Sequence, residues 1–410
     1  MLLGLSAVLA GCASPQPAAS QPEDRPVAGE HAAQPTRGRL IAIGGAIRPE
    51  NAAVFERFFN LATPETRPDP APADRAPNTR ATHILIATAA SGNEAAAAAS
   101  TATTLRRYAP DATLETIGRD TPQQDTVALI DRCSAIYFTG GDQARITAKY
   151  RPGGIDGPEA AAMRRLLARG GVIAGTSAGD AMMSDPMFLG GRSPESLGIR
   201  RPRNDRSSAT SASARAAESD DGGGDTPDPP PLGPRLGPGM ALVPWTIMDS
   251  HFFERDRFGR LVAALEASGL RLGLGVGEDA AIEIDLATGE AIALTEAPTL
   301  LVDIGSLHRA GLARLGIRTR ILTRGERINL RELLAAPPPD EAVASPTEIP
   351  DFAPPPDTAD RSKTRQFFEA VERSQTPLRL RLDGYDLLGR AAEHNTAIVD
   401  IRPVDESSER

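Results

Sequence analysis

Short apolar runs alternate along the first half of the chain with segments in which apolar residues recur at helical spacing. Each run is continuous and ends on glycine or polar residues, which predicts a buried strand. The predicted strands are 39–46 (RLIAIGGA), 83–89 (HILIATA), 112–118 (ATLETIG), 134–141 (SAIYFTGG) and 171–177 (GVIAGTS). The predicted helices are 50–62, 93–107, 124–132 and 157–169. Alternating strands and helices form βαβ units, so the pattern predicts an α/β fold with a parallel sheet covered on both faces.

Three loops follow predicted strands and contain glycine or small polar residues: Gly44–Glu50, Gly140–Gln143 and Gly175–Gly179. Ligands of parallel α/β sheets bind beyond the carboxyl ends of the strands. We therefore expect these loops to meet at one rim and to contain the functional site.

The second half of the chain is less regular. Residues 193–238 are rich in Pro, Gly and Ser and poor in large apolar residues, which predicts a disordered insertion. Order is expected to resume at 239–249, and the patterning then predicts a helix from His251 to about Ser268, strands over 272–276 and 280–285, and short strands with a final helix over 291–334. The main domain is thus expected to span 39–334. A Pro-rich linker (335–360) and a small appendage (361–410), with a helix over 363–374 and strands over 377–383 and 396–402, are expected to follow.

The first twelve residues form a short apolar run that ends in Leu-Ala-Gly-Cys12. Small residues before a cysteine, after such a run, resemble the lipobox of bacterial lipoprotein signal peptides, in which the cysteine is lipidated. Residues 13–38 then read as a flexible tether. The expected location is the cell envelope, as a periplasmic or outer-membrane lipoprotein. A plain secretory signal or a frayed apolar end is the alternative, with secretion or the cytoplasm as the location.

Composition narrows the possible partners. The net charge is −9 and the pI is about 5.3, so nothing indicates binding to the phosphate backbone of a nucleic acid. Cys133 is the second of two cysteines. Because Cys12 lies in the signal segment, Cys133 has no partner for an internal disulfide, and we expect it to be a buried apolar residue.

Ser177 lies where the last predicted strand of the first half turns into a helix-like stretch. Its neighbours in Gly175-Thr176-Ser177-Ala178-Gly179 are small, as in the G-x-S-x-G turns that present a serine nucleophile, although the register differs by one residue. The N–H groups at the start of the following helix could stabilise a developing negative charge. A serine in an ordinary tight turn is the alternative.

A serine nucleophile needs a base, and His251 is the best candidate. It follows an apolar run and so lies at the carboxyl end of a strand, whereas the other histidines are in the tether (His31), at the amino end of a strand (His83), in a late loop (His308) or in the appendage (His394). A structural histidine is the alternative. The base usually needs an acidic partner, for which Asp249, Glu278 and Asp279 remain open.

Neither a dinucleotide nor a metal is indicated. Gly273-x-Gly275-x-Gly277 lacks the rest of the dinucleotide-binding pattern, and no further histidine or cysteine completes a metal site around His251 and Glu254. We therefore expect that the protein needs no metal or organic cofactor.

Five segments together resemble the cyanophycinases, members of the S51 family of serine peptidases, which also contains aspartyl dipeptidases of the peptidase E type. They are GGAIRPEN (44–51), IYFTGGDQARIT (136–147), GVIAGTSAGDAMMSD (171–185), MDSHFFERDRFGRL (248–261) and LGLGVGEDAAIEI (272–284). The resemblance covers about residues 39–334, apart from the insertion. It implies a three-layer α/β sandwich of the glutamine-amidotransferase-like, or flavodoxin-like, kind with a mostly parallel sheet.

The resemblance also implies roles for individual residues. Ser177 would be the nucleophile, His251 the general base and Glu278 its orienting acid. The N–H of Ala178 and the Gly140-Gly141 loop would form the oxyanion hole. The substrate-binding positions would be Gln143, Asp249, Arg255, Arg257 and Arg260. The arginines suit the carboxylates of an aspartyl substrate, and a solvated helix face is the alternative for them.

The sequence departs from the family at several positions, which puts the substrate in doubt. Ser250 stands where the family usually has glutamine, Gly277 and Ala280 lack the usual polar groups, and Asp180 stands where alanine is common, so Asp180 joins the candidate substrate-binding residues. The expected activity is exopeptidase hydrolysis of β-aspartyl-arginine, cyanophycin-like peptides through an acyl-enzyme. An α-aspartyl dipeptidase and a non-catalytic peptide-binding lipoprotein are the alternatives. The expected partners are a peptide or isopeptide substrate, the membrane through the lipid anchor only, and a second copy in a possible homodimer.

Overall fold

Two eight-stranded sheets dominate the part of the chain that the computed structural model describes, namely residues 37–63, 82–199, 232–338, 349–354, 362–393 and 395–404. All of these residues belong to the compact unit Pro35–Arg410. Cys12, the expected signal peptide and almost all of the expected tether lie outside the described residues, as do 200–231, most of the expected linker, His31 and His394. Within the described ranges, no helix is long and apolar enough to span a membrane.

Strands and helices alternate through the first half of the chain, and strands predominate in the second half. The strands are β1 Arg39–Ile43, β2 His83–Ala87, β3 Thr113–Ile117, β4 Ala135–Phe138, β5 Val172–Thr176, β6 Met187–Gly190, β7 Arg235–Gly237, β8 Thr246–Asp249, β9 Leu272–Val276, β10 Ala281–Asp285, β11 Glu290–Ala293, β12 Thr299–Asp303, β13 His308–Ala310, β14 Ala313–Leu322, β15 Arg327–Asn329, β16 Leu378–Leu382, β17 Tyr385–Ala392 and β18 Thr396–Pro403. The helices are α1 Ala52–Ala62, α2 Glu94–Tyr108, α3 Gln123–Arg132, α4 Gln143–Tyr150, α5 Pro158–Ala168, α6 Ala178–Ala181, α7 Ser193–Ser196, α8 Phe258–Ser268, α9 Leu330–Ala335 and α10 Lys363–Val371.

The first sheet has the order β15-β11-β10-β1-β5-β4-β2-β3. Strands β1 to β5 pair in parallel, as predicted from their alternation with helices. Strands β10, β11 and β15 extend the sheet in the antiparallel sense. For β10 and β11 the physical reason is the connection: they are joined by a tight turn, closed by the Gly289 N–H bond to the Asp285 carbonyl (2.8 Å), and a tight turn can link only antiparallel strands.

The second sheet has the order β16-β17-β18-β14-β12-β9-β8, with β13 paired to β14. Among the described strands of this sheet, β8 and β9 are the only two that pair in parallel. The expectation of a mostly parallel sheet is therefore wrong for the described residues as a whole, which form an α/β fold with two mixed sheets.

A hydrophobic core packs on each face of the first sheet. On β1, Leu40 and Ala42 join the cluster that contains Leu272 and Leu274 of β9, so the two sheets share this core. The alternate residues of β1, Ile41 and Ile43, face α1 and α2 on the other side of the sheet. The residues on both faces of β1 are fully buried. The predicted coverage of the first sheet on both faces is confirmed, and Cys133 is buried as predicted.

The C-terminal residues do not form a separate appendage. Strand β18 pairs with β14, and β17 pairs with β18 along its whole length, so the last three strands complete the second sheet. Strand β17 was not predicted, because its interior glycine, Gly389, weakens the strand pattern. Pairing between strands that are distant in sequence cannot be seen in a local pattern. The Pro-rich segment before these strands therefore looks like a domain boundary in the sequence.

Two other boundaries differ from the expectation. Residues 193–196 and 235–237, at the two ends of the expected insertion, are ordered as α7 and β7, and Leu197 packs against Gly259 of α8. Helix α8 begins at Phe258 and not at His251, because His251 and Asp256 have positive φ angles (47° and 48°) that an α-helix cannot accommodate.

Candidate active site

Ser177, His251 and Glu278 form a chain of hydrogen bonds at the carboxyl ends of β5, β8 and β9. The Nε2 atom of His251 lies 2.8 Å from Oγ of Ser177, and its Nδ1 atom lies 2.6 Å from Oε1 of Glu278. These residues are far apart in sequence and come from both sheets. Because the imidazole is held between a hydroxyl and a carboxylate, it can accept the hydroxyl proton while the carboxylate fixes its tautomer.

Three consecutive carbonyls at the end of β1 hold the loops that carry Ser177, His251 and Glu278. The carbonyl of Ile43 accepts the N–H of Ser177 (2.9 Å), and that of Gly44 accepts the N–H of His251 (2.7 Å). The carbonyl of Gly45 accepts the N–H of Asp279, the residue after Glu278 (2.9 Å). We call residues 43–45 the carbonyl hub. The loop Gly44–Glu50, which the sequence indicated as part of the functional rim, thus acts through its main chain.

Two glycines give His251 and its neighbour their space. A Cβ at Gly45, whose φ is +109°, would lie 2.3 Å from Cε1 of His251. A Cβ at Gly275 of β9 would lie 2.4 Å from the ring of Phe252. Only a residue without a side chain fits at either position. The Gly-x-Gly pattern in β9 is therefore explained by close packing, and the role of Gly45 was not predicted from the sequence.

Ser177 occupies a strained turn of the kind that exposes a nucleophile. Its φ and ψ are 56° and −104°, a combination that serine rarely adopts. The N–H of Ser177 is used by the carbonyl hub, whereas Ala178, as the first residue of α6, presents an N–H that the helix does not use. Gly140 borders the same space, since a Cβ there would lie 3.4 Å from Cβ of Ser177. The expected helix after Ser177 is a single turn.

The imidazole of His251 is tuned towards its neutral form. Burial lowers the pKa of His251 below its usual 6.5, and the nearby charge of Arg255 lowers it further. The hydrogen bond that His251 donates to the Glu278 carboxylate opposes this and raises the pKa. Because burial dominates, His251 is neutral near pH 7 and can act as a proton acceptor.

The other two acidic candidates have different partners. The carboxylate of Asp279 accepts hydrogen bonds from Arg48 (2.7 Å) and Asn51 (2.9 Å), which hold the loop after β1. Asp249 faces the arginines of the following turn. Among the described residues, Glu278 is thus the acid that contacts His251.

Asp249 and Arg260 form a buried ion pair. Asp249 is fully buried, Arg260 is 4% exposed, and Nε of Arg260 donates to Oδ2 of Asp249 (2.8 Å) while its Nη2 bonds the other oxygen. Arg260 also donates to the Gly191 carbonyl (2.9 Å) and lies over the ring of Phe188. The alternative of a solvated helix face for Arg260 is wrong, because α8 turns this side towards the protein interior.

The two remaining arginines differ in their surroundings. We call His251–Arg257 the catalytic turn. Arg257, at its end, donates to Asp249 (3.2 Å) and to the Ser250 carbonyl (2.5 Å), and burial lowers the pKa of its guanidinium to about 9. Arg255 is exposed, and its side chain has no hydrogen-bond or ion-pair partner in the described ranges. Of the three arginines, Arg255 is the one whose charge is not already neutralised by the protein.

Gln143 and Asp180 are the last two predicted positions. The side-chain amide of Gln143, at the start of α4, donates to the Phe188 carbonyl (2.5 Å). Asp180 is fully buried in α6, three residues after Ser177, and neither of its oxygens has a hydrogen-bond partner in the described part of the chain. Burial raises the pKa of Asp180 well above its usual value, and the neighbouring Asp249 adds to this. The position of Asp180 near the site was expected from the sequence, but its isolation was not.

No cluster of three or more histidine, cysteine, aspartate or glutamate side chains suited to a metal ion occurs among the described residues. Sequence comparisons show which known proteins this chain is similar to. The chain is 30% identical to the cyanophycinase of Trichormus variabilis over 223 residues, which are 51% of this chain and 61% of that protein. It is 26% identical to the cyanophycinase of Synechococcus elongatus, over 52% of this chain and 58% of that protein. The chain thus matches less than two thirds of the length of these relatives.

No family model matches the chain. Among solved structures, a peptidase from an acI-B1 Actinobacterium is 16% identical, with a TM-score of 0.47, over 72% of this chain and 98% of that one. Several cyanophycinases share the sequence pattern of this chain over about half of its length. By sequence, the chain is therefore similar to the cyanophycinases, which are 26–30% identical to it where they match.

Proposed function

We propose that the chain is a serine-type peptidase that hydrolyses aspartyl-linked peptides, with β-aspartyl-arginine as its first candidate substrate. The observation that carries the proposal is the hydrogen-bonded chain from Ser177 through His251 to Glu278, with separations of 2.8 and 2.6 Å. The cyanophycinase relatives support the aspartyl substrate class.

The proposed reaction follows the usual course of acyl transfer. Oγ of Ser177 attacks the carbonyl carbon of the scissile amide, and Nε2 of His251 takes the hydroxyl proton. Glu278 stabilises the resulting imidazolium through Nδ1. The N–H of Ala178 and the Gly140-Gly141 loop stabilise the oxyanion, and removal of one such donor typically lowers the rate by about 10²–10³. His251 then protonates the leaving amine. In the second half of the reaction, His251 takes a proton from a water molecule, which attacks the acyl-enzyme and releases the product and Ser177.

The proposed site for a substrate carboxylate is Arg255. Arg255 follows His251 closely within the catalytic turn, and its side chain is exposed. Its guanidinium has no ion-pair partner among the described residues, so it is available to bind a substrate carboxylate. Arg257 and Arg260 already pair with Asp249, so they support the site by fixing the turn and do not compete for the substrate. Gln143 likewise supports the site through its bond to the Phe188 carbonyl.

The test is a panel of β-Asp-Arg and α-Asp-Arg dipeptides with the purified chain and the Ser177→Ala variant. We expect release of arginine from the β-linked dipeptide by the wild type and a loss of about 10⁶-fold in kcat for the variant. Preferred cleavage of the α-linked dipeptide would instead make the chain an α-aspartyl dipeptidase. Binding of dipeptides without turnover, and without labelling of Ser177 by a serine-directed phosphonate, would rule out the peptidase and favour a binding protein.

A further inference from the structure

Residues 362–393 and 395–404, which we call the C-terminal segment, pack directly against the catalytic turn. Ser362, just before α10, donates from its hydroxyl to the Phe253 carbonyl (2.5 Å). Phe368 of α10 packs edge-on against Phe253 and Phe258, with ring centroids 6.3 and 5.0 Å apart. The segment therefore contacts the turn at its centre and at the beginning of α8.

The most specific of these contacts joins Thr364 to Asp256. The hydroxyl of Thr364 donates to Oδ1 of Asp256, and Thr364 itself is fully buried. On the other side of the turn, the hydroxyl of Ser193 donates to the Asp256 carbonyl (2.5 Å). Asp256 is thus held both by its side chain and by its main chain, from two different parts of the protein.

Asp256 needs this support because of its conformation. Its φ is +48°, in the left-handed region, which costs energy for a residue with a side chain. That conformation sets the direction of the main chain between Arg255 and Arg257, two residues before α8 begins. Burial raises the pKa of the Asp256 carboxyl, whereas the Thr364 hydroxyl and the charges of Lys363 and Arg192 lower it.

The C-terminal segment is itself fixed to the sheet that carries the catalytic residues. Strands β16–β18 continue the same sheet as β8, which leads to His251, and β9, which leads to Glu278. The carboxylate of Glu372, just after α10, accepts the N–H of Ile321 of β14 (2.6 Å). Helix α10 is therefore attached both to the turn and to the sheet behind it.

We infer that Thr364 is a positioning residue for the proposed hydrolysis: its bond to Asp256 holds the catalytic turn in the shape that places His251 beside Ser177. The inference rests on the proposed function, since its kinetic consequence requires turnover. It also gives the C-terminal segment a role that the sequence did not suggest.

The test compares three variants of the full chain. Thr364→Val removes the hydroxyl at nearly constant volume, and Thr364→Ser keeps it. Thr376→Val is the matched control, because Thr376 is an exposed threonine of the same segment whose hydroxyl lies near Ser374. The measurements are kcat and KM on β-Asp-Arg, the rate of phosphonate labelling of Ser177, the Tm, and hydrogen–deuterium exchange of the peptide that covers 252–257.

For Thr364→Val we expect kcat to fall about tenfold, labelling of Ser177 to slow in parallel, and exchange over 252–257 to rise at temperatures well below the Tm. Thr364→Ser and Thr376→Val should behave like the wild type. Unchanged kcat and unchanged exchange in Thr364→Val would overturn the inference, as would equal losses in the Thr376→Val control. If the wild type cleaves no aspartyl substrate, the proposed function fails, and the exchange data alone still decide whether Thr364 holds the turn.

Discussion

The imidazole of His251 occupies the space that a side chain at Gly45 would need. A Cβ at this position would lie 2.3 Å from Cε1 and 2.4 Å from Nε2 of the ring, well inside van der Waals contact. Nε2 is also the atom that faces Oγ of Ser177. The distance between Ser177 and His251 therefore depends on the absence of one methyl group in the loop after β1.

The first prediction is that Gly45→Ala lowers kcat about 100-fold, because it pushes the imidazole away from Ser177, and small misplacements of catalytic groups have effects of this size. Kinetics on β-Asp-Arg measure it. Gly233→Ala is the control for backbone strain, since Gly233 has a similar positive φ (+114°) but nothing within 4 Å of the added Cβ. Equal activity of the two variants would contradict the packing role of Gly45.

Glu278→Gln should change both the rate and its pH dependence. In the proposed mechanism the neutral imidazole is the active form. We therefore expect kcat/KM to fall as the pH falls through the pKa of His251, which burial places below 6.5. Glu278 raises that pKa, and its removal should therefore move the acid limb of the profile to still lower pH. We also expect kcat to fall on the order of 10⁴-fold, as for loss of the orienting acid in a serine triad. A limb that moves to higher pH would refute this account of the His251 environment.

The buried carboxyl of Asp180 should make the protein less stable as the pH rises. Its pKa is raised in the folded state, so above the usual value of 3.8 the unfolded chain loses this proton while the folded chain keeps it. Each pH unit in that window then costs about 1.4 kcal/mol of unfolding free energy. Asp180→Asn, which does not titrate, should lose less stability than the wild type between pH 4 and pH 7. Urea unfolding of both proteins across this range measures the difference, and parallel curves would show that Asp180 is ionised in the fold.

Breaking the ion pair between Asp249 and Arg260 should destabilise the fold. Arg260→Ala leaves the fully buried Asp249 with Arg257 as its one remaining ion-pair partner among the described residues. Loss of one partner of a buried pair typically costs about 3–5 kcal/mol. Thermal unfolding measures this effect. Arg255→Ala is the comparison, because Arg255 is exposed: its Tm should equal that of the wild type, while KM for β-Asp-Arg should rise if Arg255 binds the substrate carboxylate. A large fall in Tm for Arg255→Ala would be incompatible with the exposed position of this side chain.

The sequence predicted those parts of the molecule that depend on local patterning. Strands β1 to β5 are short apolar runs between amphipathic helices, and their parallel pairing follows from the helical connections. Ser177, His251 and Glu278 each follow such a run, so their common rim could be inferred from position alone. What local patterning could not predict is contact between distant segments: the pairing of β18 with β14, the burial of Arg260 on Asp249, and the bond between Thr364 and Asp256. The predicted beginning of α8 is wrong for a related reason, because tertiary contacts hold Asp256 in a conformation that its own sequence does not demand.

The carbonyl hub determines how the site can fail. Main-chain carbonyls are present whatever side chain a residue carries, so changes of side chain within β1 leave the three anchoring bonds of Ser177, His251 and Asp279 chemically intact. All three bonds depend on the position of the end of β1. A displacement of that end would release Ser177, His251 and the loop that carries Glu278 together. We therefore expect loss of the proposed activity on heating or in denaturant to be an all-or-none event that can precede the unfolding of either sheet.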